Sequence, residues 1–532
     1  MITHSLNGQW KMKKVGSDIE YTANVPTGMY QVLYENQVIE DPFYGENDRL
    51  ITKLSDDDYL FTKEFVVDKK LLECQGVELV FNGLDTLARV TLNGIIIAKT
   101  NNMHRIYTFD AKPYLHEGDN VLEVRFTSPT RYIGEEQAKD PLWGIATTTD
   151  GYGHLRKAHH MFGWDWGPDM PDMGIWRDVE LRGIEKGMLL EFYVDQIHSQ
   201  NQVELDIQVS ARDYNEDLTV HMALLDGDDN LVSEVKACRF NEIYGGVHVI
   251  AVDAKTVYDR IETGLIKVDK PKLWWPNGYG DQYLYELIID LMDGETIVDT
   301  ISKKIGLRTM TVTREADRWG ESFDFTINGS RIFAMGADYI PEDALMTRPD
   351  YDSTKRLIRD CAKANYNCLR VWGGGVYPND DFFELCDEYG LLVWEDFMFA
   401  CGVYRLTDSF KENITEEFID NIKRIRHHAC LGLWCGNNEM EWAFVEWNLP
   451  KDERLRMDYL LMYEKLIPEV LAQYDPNTFY WPASPSSGGG FDKPNDDNKG
   501  DVHYWKVFHG NEHYKKFRDH YFRFASEYGM QA

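Results

Sequence analysis

The stretch LGLWCGNNEME, residues 431–441, decides how the rest of this chain is organised. Its first five residues, Leu431 to Cys435, show no polar alternation, which is typical of a strand buried on both faces in a parallel sheet. The run then breaks at a glycine, and Asn437, Asn438 and Glu439 follow. Because an α/β barrel carries its reactive groups at the carboxyl ends of its strands, Glu439 is a candidate catalytic carboxylate.

A second strand of this kind lies near the other end of the chain. Residues 521–525 again look buried, and Ser526, Glu527 and Tyr528 follow. Taken singly, each acidic strand end is equally well explained as an ordinary polar loop. Together, Glu439 and Glu527 predict two carboxyl groups facing each other across one barrel mouth. That arrangement suits glycoside hydrolysis by one protonated acid and one ionised carboxylate.

After about Met310, strand patterns alternate with amphipathic helical patterns, which predicts βαβ units and a parallel sheet. The strand candidates are Ile332–Ala337, Cys368–Trp372, Leu391–Glu395, Leu431–Cys435, Thr478–Ala483, Asp501–Trp505 and Tyr521–Ser526. A closed (β/α)8 TIM-type barrel needs one strand more than these seven. Since the chain ends five residues after Glu527, we expect a (β/α) barrel catalytic domain, residues 310–532, that is truncated after strand seven.

Two β-rich regions precede this domain. Residues 1–182 contain short alternating strands such as YLFTKEFVV (59–67) and NVLEVRF (120–126), which predict a jelly-roll-like β-sandwich of the sugar-binding type. Residues 183–309 fit an immunoglobulin-like β-sandwich without a disulfide. The strand candidates of that second region are VELDIQVSARD (203–213), LTVHMALLDGD (218–228), HVIAVDA (248–254) and QYLYELIIDLMD (282–293).

One loop of the first region is crowded with aromatic residues. Glycine and proline exclude a helix in this segment, where Trp164 and Trp166 flank Asp165. Aromatic rings around a carboxylate on a loop predict a binding feature, because the C–H faces of sugars are apolar. A tryptophan-rich plug that closes the sandwich is the alternative.

Charge and cysteine content exclude several classes of protein. A net charge of −33 disfavours nucleic acid and anionic membranes as partners, since both reward Lys and Arg. The amino terminus has no signal-peptide pattern and no apolar run reaches the length of a membrane span, so we expect a cytoplasmic protein. The eight cysteines form no CxxC pair, which fits reduced thiols. Because no carboxylate–histidine spacing around His154, His159 and His160 supports a metal site, we predict no metal and no other cofactor.

Further candidates stand at the ends of the predicted strands. Arg370 and Trp372 end strand two, where the guanidinium is suited to keep a carboxylate ionised and the indole to bound a sugar. Tyr504 ends strand six, where its hydroxyl is placed to donate to the nucleophile, although an ordinary strand-end tyrosine is an equal alternative. Asn438 supplies an amide able to bond a sugar hydroxyl beside the attacked carbon.

Five short motifs stand out along the chain. They are GLDTLARVTLNG (83–94), FGWDWGP (162–168), RVWGGG (370–375), LWCGNNE (433–439) and SEYG (526–529). With the domain order, they resemble the β-mannosidases of glycoside hydrolase family 2, and the resemblance covers essentially the whole chain. LWCGNNE with SEYG is specific to the family, and FGWDWGP to its mannosidase branch. His428-Ala429-Cys430 departs from the usual His-Pro-Ser.

The resemblance implies retaining hydrolysis that releases terminal β-D-mannose from β-mannoside oligosaccharides. Glu439 matches the acid/base of the family, Glu527 its nucleophile and Asn438 its contact to the sugar 2-hydroxyl. The family's spacing from Trp434 selects Glu439 rather than Glu441 as the acid.

The resemblance also implies a sugar pocket built by two domains. Asp165 and Trp166, with Trp164 beside them, match a loop that the first domain lends to the active site. Trp372 and Trp447 match aromatic walls. Family members continue past the nucleophile with the last barrel strand and further β-domains, so we expect this polypeptide alone to be weakly active and prone to associate.

Alternatives remain open at this stage. Within the enzyme class, an endo-β-mannosidase or an exo-glucosaminidase uses the same framework, and the length of the products of a mannotriose digest separates exo from endo action. A non-catalytic carbohydrate-binding protein is the alternative from another class. A homodimer is one assembly to test.

Overall fold

A computed structural model describes residues 1–214, 217–239, 258–447 and 449–529. Three apolar cores follow one another along the chain. The first draws almost all of its residues from positions 6–181, the second spans positions 189–307, and the third lies mainly between positions 312 and 481.

The first region is a sandwich of two antiparallel sheets. Its strands are β1 (Ile2–Ser5), β2 (Gly8–Lys14), β3 (Tyr21–Val25), β4 (Thr27–Gly28), β5 (Tyr59–Val67), β6 (Gly76–Phe81), β7 (Ala88–Leu92), β8 (Ile95–Lys99), β9 (Tyr107–Asp110), β10 (Gly118–Phe126), β11 (Gly174–Ile175) and β12 (Val179–Ile184), with helices α1 (Met29–Glu35), α2 (Asn47–Ile51), α3 (Lys69–Glu73) and α4 (Pro129–Lys139). The sheets have the orders β1-β12-β6-β9 and β3-β2-β5-β10-β7-β8. Alternate residues such as Phe61 and Leu79 meet between them in one core, as half-buried strands require.

The second region is also a β-sandwich. Its described strands are β13 (Gly187–His198), β14 (Gln202–Asp213), β15 (Thr219–Leu225), β16 (Leu231–Arg239), β17 (Tyr258–Asp269), β18 (Tyr285–Asp293) and β19 (Thr296–Ile305). Antiparallel sheets of order β13-β14-β17 and β16-β15-β18-β19 share one core. The predicted strand HVIAVDA lies outside the described residues, and the finer immunoglobulin-like assignment stays a prediction.

The third region opens with a small antiparallel sheet, β20 (Met310–Thr313), β21 (Asp324–Ile327) and β22 (Ser330–Ile332). The parallel strands that follow are β23 (Gly336–Tyr339), β24 (Cys368–Val371), β25 (Leu392–Asp396), β26 (Leu431–Cys435), β27 (Phe479–Trp481), β28 (Val502–Tyr504) and β29 (Ala525–Tyr528). The helices between them are α5 (Tyr351–Lys363), α6 (Asp380–Tyr389), α7 (Asp408–Ile425), α8 (Met440–Glu446), α9 (Glu453–Tyr459) and α10 (Ile467–Tyr474). Strands β23 to β27 form one parallel sheet in chain order, and β28 pairs with β29 in parallel.

All seven predicted parallel strands are present, but two of them are shifted. Ile332 belongs to the antiparallel strand β22, and the first parallel strand begins only at Gly336. The last strand begins at Ala525, and Tyr521, predicted to be buried, has 87% of its surface exposed. The first misplacement arises because short apolar runs look alike whether they are buried by a parallel or an antiparallel neighbour. The second has another cause, because residues 521–524 form a loop and an aromatic run is not by itself evidence of burial.

The seven parallel strands leave an opening between the first and the last of them. A cavity of about 900 Å³ lies between β23 with β24 on one side and residues 520–526 on the other. Its lining includes the exposed side chains of Phe333, Met335 and Tyr528. Closure of these strands into an eight-stranded barrel, and the predicted truncation, stay predictions.

The first region is fastened to the third by buried charges. Arg156 and Glu417 are fully buried and their side chains pair at 2.6 Å, while Arg156 Nη1 donates to the carbonyl of Met398 at 2.7 Å. A second clamp is the Tyr152 hydroxyl, which donates to the carbonyl of Cys401 at 2.6 Å. These contacts hold the aromatic loop of the first region against the strand ends of the third. Of the helices in the described ranges, none has the length and apolar character needed to span a membrane.

Candidate active site

Glu439 stands at the sharp turn between β26 and α8. Gly436 permits this turn, because a Cβ there would lie 2.3 Å from the carbonyl oxygen of Pro482. Glu439 itself has a φ of +64°, a left-handed conformation that costs a non-glycine residue about 1–2 kcal/mol. Its backbone N–H donates to the carbonyl of Ser484 at 2.7 Å, which holds the strained residue in place. Strain of this kind is typical of functional positions.

Glu439 and Glu527 converge although they lie on different strands. Both residues are buried, and one carboxyl oxygen of each lies within 4.8 Å of the other. His503, from β28, stands between them, with its Nδ1 at 2.7 Å from Glu439 Oε1 and 3.1 Å from Glu527 Oε2. The structure therefore brings together the two predicted carboxyl groups and adds a histidine that the sequence reasoning missed.

The two carboxyl groups have different surroundings. Glu527 accepts a hydrogen bond from Arg370 Nη1 at 2.6 Å and another from Trp505 Nε1 at 3.0 Å. Burial raises the pKa of Glu527, but both of these donors oppose the rise. Burial and the charge of Glu527 raise the pKa of Glu439 well above its usual range, with the Cys401 thiol as the main opposing hydrogen bond. The arrangement therefore favours an ionised Glu527 beside a protonated Glu439.

The hydrogen bonds of His503 agree with that assignment. Burial, together with Arg370, lowers the pKa of His503 well below its usual value, so its ring is neutral. The hydroxyl of Ser484 donates to Asp501 Oδ2 at 2.6 Å, and its oxygen therefore accepts from Nε2–H of His503 at 2.9 Å. Nδ1 is then an acceptor, and the protonated Glu439 is the donor that satisfies it.

Arg370 and Asn438 connect the two halves of the site. The pKa of Arg370 is raised well above its usual value because the carboxylates of Asp396, Glu527 and Asp338 outweigh the effect of burial. Besides Glu527, the guanidinium contacts Asp396 at 2.7 Å and donates to Asn438 Oδ1 at 2.8 Å. Asn438 thus lies between Arg370 and Glu439, and its predicted contact to a sugar hydroxyl stays a prediction.

The predicted aromatic residues gather beside the carboxyl groups. Trp164 and Trp166 both meet Trp372 edge-on, with ring centroids 4.7 Å and 5.5 Å apart. Trp164, Trp372 and Trp447 share one apolar cluster with Cys401. The ring of Trp166 stays 45% exposed, which does not fit a plug that closes the sandwich.

Asp165 faces the third region across this loop. Its Oδ2 lies 3.6 Å from Nε2 of His509, in the segment that follows β28. Both side chains remain accessible to solvent, with 37% and 57% of their surfaces exposed. A contact so exposed contributes little to stability, so Asp165 is available to a ligand.

The prediction that Tyr504 donates to the nucleophile is wrong. Its hydroxyl donates to Glu512 Oε2 at 3.0 Å, and its ring packs against His520 at 4.5 Å. Because successive strand residues point to opposite faces, the neighbours His503 and Trp505 face the carboxyl groups instead. The alternation within HYW, 503–505, indicates that His503 and Trp505 share a face, but it does not tell on which face the carboxyl groups lie.

Glu441 is a structural carboxyl group. It accepts hydrogen bonds from the Ser486 hydroxyl at 2.6 Å and from the backbone N–H of Phe491 at 2.9 Å. Burial raises its pKa to about 7.

Two of the histidines considered as metal ligands have protein partners instead. The imidazole of His159 contacts the Tyr404 hydroxyl, and that of His160 contacts the carbonyl of Gly374.

The fold and the paired carboxyl groups place this chain in a class of multidomain proteins whose site is of the type that glycoside hydrolases use. Comparisons with known proteins agree. Residues 10–177 match the family profile "Glycosyl hydrolase 2 galactose-binding domain-like", and residues 189–308 match "Glycosyl hydrolases family 2". The chain belongs to glycosyl hydrolase family 2, and the predicted resemblance to the β-mannosidases of that family is confirmed.

Individual relatives support this placement. "Beta-mannosidase B" of Aspergillus terreus is 35% identical, with 96% of this chain and 60% of the relative covered. "Beta-mannosidase" of Capra hircus is 31% identical over 100% of this chain and 61% of its own length. The crystal structure of the β-D-mannosidase of Dictyoglomus thermophilum is 35% identical with a TM-score of 0.92, covering 100% and 63% of the two chains. The chain thus spans about three-fifths of the length of these relatives.

Proposed function

We propose that this chain carries the catalytic carboxyl groups of a retaining glycoside hydrolase that releases terminal β-D-mannose from β-mannosides. The observation that carries the proposal is the approach of Glu439 and Glu527 to within 4.8 Å, measured between carboxyl oxygens. Retaining enzymes hold the two groups about 5–5.5 Å apart, whereas inverting enzymes need about 6.5–9.5 Å to admit a water molecule. The resemblance to named β-mannosidases supports mannose as the sugar.

The first step uses the different states of the two groups. The ionised Glu527, held by Arg370 and Trp505, attacks the anomeric carbon and forms a glycosyl–enzyme ester. Glu439 gives its proton to the glycosidic oxygen, so that the leaving sugar departs as a neutral alcohol.

The second step reverses these roles. Glu439 is now ionised and takes a proton from a water molecule that attacks the anomeric carbon. The ester bond to Glu527 breaks, and mannose leaves with its original anomeric configuration. The consumption of the Glu527 charge in the ester lowers the pKa of Glu439, since a neighbouring negative charge is lost.

We propose that the sugar lies between the carboxyl groups and the aromatic cluster. Asn438 is placed to bond the 2-hydroxyl, and Asp165 another hydroxyl. Trp164, Trp166, Trp372 and Trp447 offer apolar faces to the C–H groups of the ring. Asp165 belongs to the first region, whereas the two carboxyl groups belong to the third. The contact between these two regions is therefore part of the site.

The activity itself is tested with p-nitrophenyl β-mannoside. Release of β-mannose as the first product, followed by proton NMR, supports a retaining mechanism, and first release of α-mannose contradicts it. A mannotriose digest separates exo action, which yields mannose, from endo action. Activity on a β-glucosaminide in place of the mannoside would favour the exo-glucosaminidase alternative, and sugar binding without turnover the non-catalytic one.

We also propose that an eighth strand closes the parallel strands into a barrel at the cavity between β23 and β29. The exposed apolar lining supports this, and so do the edges of β23 and β29, which pair with no further strand there among the described residues, because such edges pair readily with another strand. A form extended past Ala532 is expected to be at least about a hundredfold more active, since small displacements of a reacting group cost orders of magnitude in rate. Size-exclusion chromatography and rates of both lengths test this. A monomeric short form with equal activity would contradict it.

A further inference from the structure

A buried cysteine touches the proposed acid. Cys401 follows β25, with only 2% of its surface exposed, and its Sγ lies 3.2 Å from Glu439 Oε2. Burial raises the pKa of Cys401 well above its usual value, so the thiol keeps its proton. A protonated thiol beside a carboxyl oxygen acts as a hydrogen-bond donor.

The direction of the neighbouring hydrogen bonds fixes this role. Arg370 only donates, so the atom of Asn438 that it meets at 2.8 Å is the amide oxygen Oδ1. The amide nitrogen Nδ2 then points to Cys401 and donates to Sγ at 3.3 Å. The sulfur accepts from Asn438, and its own proton is directed to Glu439. Three donors therefore follow one another from Arg370 to Glu439, and each polarises the next.

The backbone of Cys401 is held for this purpose by two regions. Its φ is +50°, which is an unfavourable conformation for a residue with a side chain. Its N–H donates to the carbonyl of Asn438 at 3.1 Å, and its carbonyl accepts from the Tyr152 hydroxyl of the first region. A strained, doubly fastened residue is typical of a functional position.

From this geometry we infer that Cys401 is a positioning residue for Glu439. The hydrogen bonds from Arg370 to Asn438 and from Asn438 to Cys401 polarise the thiol, and this strengthens its own hydrogen bond to Glu439. The inference rests on the proposed function of Glu439. His503 holds Oε1 of Glu439 and Cys401 holds Oε2, so the carboxyl group cannot rotate. The thiol bond also stabilises the ionised form, which Glu439 must adopt as the base of the second step.

Other titratable or charged groups face Glu439 and are left intact by a change at Cys401. They are Glu527, Arg370, Asp165 and His503. Removing the thiol donor should therefore raise the pKa of Glu439 solely because the hydrogen bond from Cys401 is lost. In Cys401→Ala we expect a rise of about one pH unit, a modest effect that fits a weak donor. Cys401→Ser, which restores a donor, should return most of the shift.

The first measurement is the pH profile of kcat/KM. The alkaline limb, which reports the acid of the free enzyme, should move upward in Cys401→Ala and return in Cys401→Ser. The loss should be about tenfold larger for an unactivated mannoside than for p-nitrophenyl β-mannoside, since only the former needs the acid. Cys430→Ala is the matched control, because it removes another buried thiol, one that contacts the carbonyl of Phe383 and Asp387 instead of Glu439.

The second measurement does not need turnover. Carbon-13 NMR of labelled glutamate, with Glu439→Gln to assign the signal, gives the pKa of Glu439 directly in each variant. An unchanged or lowered pKa in Cys401→Ala overturns the inference, as does failure of Cys401→Ser to restore it. If the unaltered protein does not cleave mannosides but the pKa shifts as expected, the proposed function fails and the thiol contact stands.

Discussion

The indole Nε1 of Trp505 donates a hydrogen bond to Oε2 of Glu527 at 3.0 Å. The other oxygen of that carboxylate is held by Arg370 at 2.6 Å, so both oxygens have fixed partners. Bonds from such donors stabilise the ionised form and fix the plane of the attacking group. Trp505 is thus a positioning residue for the proposed nucleophile.

Trp505→Phe should keep an aromatic ring, although a smaller one, and remove the donor. We expect kcat/KM to fall about tenfold to a hundredfold, because a hydrogen bond to a charged group contributes about 1.5–3 kcal/mol. Loss of a donor raises the pKa of Glu527, which must be ionised to attack, so the acid limb of the pH profile should move to higher pH. Tyr504→Phe is the adjacent control, since it removes only the bond to Glu512. Equal effects of both changes would argue against this role.

Glu439→Gln should separate substrates by their leaving groups. On a natural mannoside, which needs protonation, we expect a loss of about 10²–10⁴-fold, and a much smaller loss on p-nitrophenyl β-mannoside. Glu441→Gln provides a control two residues away, where the carboxyl group bonds Ser486 and Phe491 instead. Similar losses on both substrates would remove Glu439 from the role of acid.

Glu527→Ala should abolish turnover of both substrates, because no attacking group remains. A small anion such as azide fits the space of the lost carboxylate, so azide should restore cleavage of p-nitrophenyl β-mannoside as a glycosyl azide. NMR of the product gives the decisive reading. Retained activity without azide would mean that another residue attacks.

Asp165→Ala should weaken catalysis without unfolding the protein. We expect kcat/KM to fall by the equivalent of about 1–3 kcal/mol, the contribution of one hydrogen bond to a sugar hydroxyl. The melting temperature should stay unchanged because the Asp165–His509 pair is exposed. His509→Ala controls for loss of that pair, and a lowered melting temperature of Asp165→Ala would favour the plug interpretation.

Glu417→Gln should show how much the contact between regions contributes to stability. The change leaves Arg156 buried without its charge partner, which costs about 3–5 kcal/mol of unfolding free energy. Denaturant titration measures it. Glu46→Gln, which breaks the exposed Arg49–Glu46 pair, should cost less than about 1 kcal/mol. A comparable small effect of both changes would mean that water reaches the Arg156 site.

Patterns along the chain predicted the strand ends well and the directions of side chains poorly. Glu439 and Glu527 could be found because each follows an apolar run, and parallel strands bring their carboxyl ends to one edge. The prediction for Tyr504 is wrong because the register of a three-residue strand cannot be read from so short a segment. An error of one residue turns a side chain to the opposite face.

The sequence by itself determined the order of the regions, the strand–helix alternation after Met310 and the two carboxyl groups, since these depend on local periodicity and on neighbours along the chain. Only the tertiary structure decided which groups surround them. His503, Trp505 and Cys401 come from different segments, and no local pattern records that their donors meet Glu439 or Glu527. The shifted pKa values of the site follow from burial and from charges that lie far apart in sequence, so these shifts arise only once the chain has folded.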